Sequence, residues 1–400
     1  MTSWREKLRQ RWPHTRVVVL LTIALAGVVA RVFLAWVSRG SNDIDTWRGF
    51  GNHVDKYGLV NTYKMLSDFN HPPIMGYFVE AAVRVASSTG LPFPFVFKIP
   101  AMLSDVGVLV LLWSIWRRRD GTVSAAKASA LFAWSLCAIL VGAYHGNTDS
   151  VCAFLCLLCL YFATEKHRYF AAGLAFGAAV NVKLIPLVAV PAILLTFKSW
   201  RALWQFVAAA AVGILPFLPI LWYCGRAFEQ NAIAYNSNFD NWGIPFFIRQ
   251  SEANRYFGAA MLDFAPWYVA HGRYLVIGGA VILPLWLRLQ GKTNRYRLFA
   301  VAMAMFLVLA PGFGVQYVVY LAPVAFAVDM KWGALYSTTA GLFIGLIYLS
   351  FLDKTKPLHS TFVTAYPMPG TLIGMLAWLL IIHFAWTSLA DMPHSRTLRG

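Results

Sequence analysis

Charge is scarce in this chain, and negative charge is scarcest. Only 13% of the 400 residues are charged, with 17 Asp and Glu against 34 Lys and Arg, while 59% are hydrophobic. With a mean hydropathy of +0.58, that composition excludes a soluble domain and describes a polytopic membrane protein. Cysteine is sparse too. Cys137, Cys152, Cys156, Cys159 and Cys224 mostly sit inside apolar runs, where a free thiol behaves as a small hydrophobe. Cys156 and Cys159 form a CxxC, but without a second pair or a nearby His, so packing is the better reading than metal or redox chemistry. No internal repeat is visible, which argues against the paired halves of many transporters. A cleavable signal peptide is also missing, because the first apolar run is too long and lacks a small-residue cleavage site.

What the chain does have is apolar runs. They cover 17–37, 97–116, 125–142, 150–164, 169–182, 185–197, 202–223, 270–289, 298–311, 315–328, 332–352 and 370–389. The expected fold is therefore an all-α membrane bundle of about 12 spans, within a range of 10–13, forming a single integral membrane domain over 1–400.

The net charge of +17 comes from short basic runs at 5–16, 117–119, 166–168, 198–201, 288–297 and 396–399, each between apolar segments. A nucleic-acid partner needs an extended basic surface, which this spacing excludes. With twelve spans all six runs fall on one side, the positive-inside pattern, so both termini are expected in the cytoplasm. The opposite side receives a first loop at 39–96, a second at 224–269, and several turns. It also collects Asp43, Asp45, His71, His145, Asn147, Asp149, Lys183, Asp240 and Gln316. Polar motifs gathered at the membrane boundary favour a reaction there over passage through the bilayer. The alternative from another class is a lipid-linked-sugar flippase or transporter, with the acids serving proton coupling.

The sharpest local signal is Asn42-Asp43-Ile44-Asp45, just past the first run. Trp47, Phe50, Val54 and Tyr57 follow at helical spacing and predict an amphipathic helix at the interface. Helix capping accounts for one of the two acids but not for both. Asn70-His71-Pro72-Pro73 predicts an extended entry to a second amphipathic helix at 75–85. Lys98 and Asp105 lie seven residues apart on one helix face. An acid inside a span needs a partner, either a neighbouring helix or a substrate.

Tyr144-His145-Gly146-Asn147-Thr148-Asp149 is denser in hydrogen-bonding groups than an interhelical turn needs. Lys183, before Pro186 in GLAFGAAVNVKLIP, either snorkels to the interface or supplies a fixed charge for a lipid-linked phosphate. The 236–243 loop, NSNFDNWG, combines amides with Trp242, a composition suited to a sugar ring or to a plain surface turn. Pro311-Gly312-Phe313-Gly314-Val315-Gln316-Tyr317 breaks one span and opens another.

Taken in order, the DxD, the 98–105 stretch, the HGNTDS turn, the GLAFGAAVNVKLIP run and GVQYVVYLAP resemble the GT-C class of polyprenyl-phosphate-sugar-dependent glycosyltransferases. The likeness spans roughly 31–323 and is greatest to the first mannosyltransferase of glycosylphosphatidylinositol anchor assembly and to related bacterial mannosyltransferases. The second loop departs from that pattern and leaves the acceptor open.

The resemblance implies a GT-C fold in a bacterial plasma membrane, with the active site on the non-cytoplasmic face. It implies transfer of a hexose, mannose first, from a polyprenyl-phosphate donor to a lipid or glycan hydroxyl with inversion. In that scheme Asp43 is the general base and Asp45 supports it. His145 and Lys183 hold the donor phosphate, and Asn147, Asp149, His71, Gln316, Tyr317 and Trp242 contact substrate. A lipid monophosphate leaving group requires no cofactor, although a divalent cation between Asp43 and Asp45 stays open.

Overall fold

Apolar runs without polar backbone partners fold as helices, because inside a membrane the helix alone satisfies every N–H and C=O within one segment. In the computed structural model, which describes residues 4–234, 241–250, 259–292, 294–361 and 366–390, helices dominate. The chain opens with α1 (Trp4–Val37), a two-residue strand β1 (Gly40–Ser41), α2 (Asp43–Tyr57), α3 (Leu59–Met65) and α4 (Pro73–Thr89). Next come α5 (Phe93–Asp120), α6 (Thr122–Ala133) and the short α7 (Leu136–Ala138), which continues as a π-helical turn over Ile139–His145. After these follow α8 (Asp149–Thr164), α9 (Tyr169–Val182), a 3-10 turn (Ile185–Ala189), α10 (Val190–Leu194), α11 (Trp200–Val212), α12 (Phe217–Phe228) and α13 (Ile244–Gln250). The remainder is α14 (Ala259–Leu289), α15 (Arg295–Leu309), a 3-10 turn (Val315–Tyr320), α16 (Ala322–Val328), α17 (Met330–Ser350), strands β2 (Leu352–Asp353) and β3 (His359–Ser360), and α18 (Met368–Ala390).

Five helices are long and apolar enough to cross a membrane: His14–Val37, Phe93–Asp120, Phe264–Leu289, Met330–Ser350 and Met368–Ala390. The number rises to seven if two bent pairs each count as one span. These pairs bend by 44° after Ala133 and by 66° after Val212. Twelve spans are not reached by this measure. Several of the apolar runs fold as short helices instead, among them Asp149–Thr164, Tyr169–Val182, Ile185–Leu194 and Val315–Val328. Large apolar side chains stand exposed along α1 (Val18, Leu25, Val29, Phe33) and α18 (Leu372, Leu379, Trp386), as lipid-facing helices require.

The bundle has two chemically different ends. α8 begins at Asp149 and, after 16 residues or about 24 Å of helix, ends beside Glu165. Here Arg119 pairs with the Glu165 carboxylate at 3.3 Å, and Arg118 donates to the Glu165 carbonyl. Arg295 caps Ala163 and Thr196 at the same end. Arg118, Arg119 and Arg295 thus gather at one end, and Asp149 lies at the other.

That other end carries a small three-stranded sheet. β1 runs parallel to β3, with Gly40 opposite His359 and Ser41 opposite Ser360, and β2 is antiparallel to β3. The sheet ties the exit of α1 to the segment after α17. α2 then lies across α4 and buries Ile44, Trp47, Phe50, Gly51 and Val54. Tyr57, the fourth apolar position in the sequence pattern, is exposed instead.

Candidate active site

The acidic loop and the HGNTD turn interlock through two glycines that have left-handed backbone. At Gly40 (φ +98°) an added Cβ would lie 2.6 Å from the Tyr144 carbonyl oxygen. At Gly146 (φ +76°) it would lie 2.2 Å from Ile44 Cδ1. Ile44 is 1% exposed, so the middle residue of the DxD is an apolar knob seated against Gly146. Ser41 Oγ completes the join by donating to the His145 carbonyl at 3.1 Å and accepting from the Asp43 amide at 3.2 Å.

This joint brings Asp43 to His145 and Asn147. Asp43 Oδ2 lies 3.2 Å from His145 Nε2 and accepts from Asn147 Nδ2 at 3.0 Å. Asn147 is held in place because its Oδ1 accepts from the Thr148 amide at 2.7 Å. Burial alone would push the Asp43 carboxyl up, but His145, Lys183 and Asn147 together outweigh it and hold the group below the usual carboxylate value. Asp43 is therefore ionised at neutral pH.

Asp43 and His145 open onto a cavity of about 200 Å³ whose lining also includes Gln316, Tyr317, Tyr348 and Ser360. Tyr348 stacks on the His145 ring at 5.3 Å with planes 10° apart. Its hydroxyl and His145 Nδ1 are both buried with no hydrogen-bond partner among the described residues. Buried polar atoms are rarely left unpaired, which sets these two groups apart from the rest of the cavity wall.

A second charged group lies at the ends of α8 and α9. Lys183 Nζ is 3.3 Å from Asp149 Oδ1, which also accepts from the Tyr320 hydroxyl at 2.7 Å. The Tyr317 ring covers the ammonium at 4.8 Å. α9 packs its small residues against α8 and α11. Asn181 then fixes its last turn by donating to Gly177 and Gly213 carbonyls, which places Lys183 where the helix stops.

Several residues singled out from the sequence lie elsewhere. Asp45 is two helical residues from Asp43, about 200° around α2. It takes Arg39 at 2.6 Å and His359 Nε2 at 3.6 Å, not the cavity. The two carboxylates thus have different neighbours, His145 and Asn147 for Asp43, Arg39 and His359 for Asp45. Among the described residues no group of three or more His, Cys, Asp or Glu has metal-binding geometry.

His71 is stacked on Trp47 at 4.2 Å, and its carbonyl accepts from the Tyr63 hydroxyl. Burial and the Lys183 charge lower its imidazole to about 3, so it is neutral. Trp242 is 1% exposed within a cluster of Phe246, Phe247, Phe343, Tyr366 and Trp378, with no ring face left for a sugar. Residues 236–240 of its loop, Asp240 included, lie outside the described residues. Asp105 pairs with Arg31 at 3.1 Å, a helix-to-helix bond, and Lys98 donates to Ser38.

Tyr320, Tyr348, His359 and Ser360 were not singled out from the sequence. Tyr320 lies inside the GVQYVVYLAP segment already noted, whereas Tyr348, His359 and Ser360 sit in no local motif; for His359 and Ser360 the clue was positional, since 353–369 falls on the polar-motif side of the expected topology.

No curated protein sequence matches this chain. The family model for glycosyltransferase family 87 matches residues 77–311, a segment that holds the HGNTD turn and Lys183 and begins after the acidic loop. The ionised Asp43 against His145, the paired Lys183 and the helical membrane architecture are thus read in a defined context: the chain belongs to glycosyltransferase family 87, a GT-C family of membrane glycosyltransferases.

Proposed function

We propose that the protein transfers a hexose, mannose first, from a polyprenyl-phosphate donor to a hydroxyl of a glycolipid or lipid-linked glycan, with inversion. The observation that carries this reading is the ionised Asp43 carboxylate facing a cavity, with His145 and Lys183 on the same side.

In the reaction Asp43 takes the proton from the acceptor hydroxyl as its oxygen bonds to the anomeric carbon. The bond from that carbon to the phosphate oxygen breaks, and its electron pair leaves with the lipid phosphate. Attack opposite the leaving group inverts the centre. His145 and Lys183 supply donors and positive charge where the phosphate gains charge. The unpaired Tyr348 hydroxyl and His145 Nδ1 are the hydrogen-bonding groups offered to the donor. Asn147 and Asp149 act as positioning residues, the first on Asp43 and the second on Lys183. Gln316 and Tyr317 line the donor side, and His71 supports α2 through Trp47. Asp45 positions the loop through Arg39 and His359, and no divalent ion is assigned to the acids.

By the positive-inside rule the basic end of the bundle faces the cytoplasm, which puts the site on the opposite face of a plasma membrane. The test is incubation of purified protein with synthetic polyprenyl-phosphate mannose or glucose and a membrane lipid extract, followed by mass spectrometry. A lipid that gains one hexose supports transfer. Donor translocation in proteoliposomes with no transferred product would instead identify a flippase.

A further inference from the structure

A second cavity, of about 470 Å³, lies at the exit of α1 and shares no lining residue with the first. Its walls include Trp36, Arg39, Arg48, Asn52, Leu91 and Phe95. The two arginines set its chemistry. Arg48 has no polar partner among the described residues and is exposed on α2. Arg39 is committed to Asp45 through one terminal nitrogen, while its Nε is buried without a partner. Arg48, Asn52 and Asp45 fall within about 60° of one another around α2, and Arg48 and Asn52 are about 140–180° from Asp43. The second cavity therefore lies on the helix face turned away from the candidate base.

Apart from Ser38, Asn52 and Ser87, the remaining wall is apolar. Trp36, 52% exposed, packs edge-on against Phe95 at 5.0 Å, where the first long apolar helix ends. An exposed Trp at a helix exit is the usual mark of the membrane–water boundary. A groove with one aromatic wall and two guanidinium groups at that depth matches an amphiphile whose apolar part lies in the bilayer and whose head carries phosphate.

We propose that this groove binds the phosphate headgroup of an anionic phospholipid, with Arg48 and Arg39 as its ligands. The Arg39 link to Asp45 connects that headgroup to the α2 segment that begins with Asp43. The proposal does not depend on sugar transfer and is tested by binding alone.

Full-length protein purified in mixed micelles of phosphatidylglycerol and phosphatidylcholine is examined by native mass spectrometry, with and without millimolar inorganic phosphate. Preferential retention of phosphatidylglycerol is expected, falling about tenfold in Arg48→Gln, the loss of about 1.4 kcal/mol of binding. Displacement by inorganic phosphate identifies the phosphate alone as the ligand. Retention that resists phosphate while still needing Arg48 identifies the whole lipid. Equal retention of the two lipids, or retention unchanged in Arg48→Gln, overturns the proposal. Because Arg48 is exposed and unpaired, that variant folds even if Arg39→Gln does not.

Discussion

Asp43 Oδ2 and His145 Nε2 stand 3.2 Å apart and join the start of α2 to the end of the π-helical turn before Gly146. The pair sets the ionisation of the candidate base, because burial opposes the carboxylate and His145 is the largest single influence restoring it.

The pH dependence follows from that balance. The folded Asp43 carboxyl titrates below its unfolded value of about 3.9, so the stability it contributes is present above that value and is lost as pH falls through the lower folded one. The acid limb of turnover lies correspondingly low. Replacing His145 by Gln leaves burial with less opposition and moves that limb to higher pH. A pH–rate profile of the variant checks this, and a limb that stays in place or moves down contradicts it.

The two acids of the DxD are expected to behave differently. Asp45→Asn, outside the cavity and bonded to Arg39 and His359, retains most of its activity and loses it mainly through loosening of the β1 to β3 clip. A chelator leaves the rate unchanged. Equal loss from Asp43→Asn and Asp45→Asn, together with chelator sensitivity, would instead identify a shared divalent ion.

Removing one partner of the Lys183–Asp149 pair strands a buried charge, since their side chains are only 9% and 0% exposed. Asp149→Asn is expected to cost about 3–5 kcal/mol of stability. The double variant Asp149→Asn with Lys183→Met recovers part of it but stays inactive. Thermal unfolding in detergent measures both, and additive losses in the double variant contradict the pairing.

Gly146→Ala forces an alanine into φ +76° and drives its Cβ onto Ile44. The backbone term alone is about 1–2 kcal/mol. Ile44→Ala alone lowers the melting temperature through the cavity it leaves, and in that background Gly146→Ala is expected to cost only the backbone term, less than it costs in the wild type. An equal cost in both backgrounds would contradict the Gly146–Ile44 contact.

The helical membrane class and the GT-C class of glycosyltransferase were legible in the sequence, because hydropathy and the order of several motifs both survive without tertiary information; the particular family, 87, was not, and the finer likeness to the anchor mannosyltransferase is not shown. The span number was not legible either. The breaks after Ala133 and Val212 bend helices that hydropathy reads as continuous, and the 150–164 and 169–182 runs, counted as spans, form helices of only 16 and 14 residues, short of membrane length. Asp43, His145, Gln316 and Tyr317 were singled out locally and meet on one cavity. Asp45 diverges because i and i+2 positions of a helix face apart, a consequence visible only once the helix is placed to begin at Asp43. Trp242 suited a sugar by composition, yet an aromatic core took it. Tyr320, Tyr348 and His359 are ordinary residues in the sequence and matter through contacts across the chain.

The most direct test of the central claim is the single-turnover rate of Asp43→Asn with polyprenyl-phosphate mannose and the accepting lipid. The amide keeps the shape and the contact to His145 but cannot take a proton. The expected result is a rate lower by about 10²–10⁴-fold with donor binding retained. Transfer at the wild-type rate would contradict Asp43 as the base.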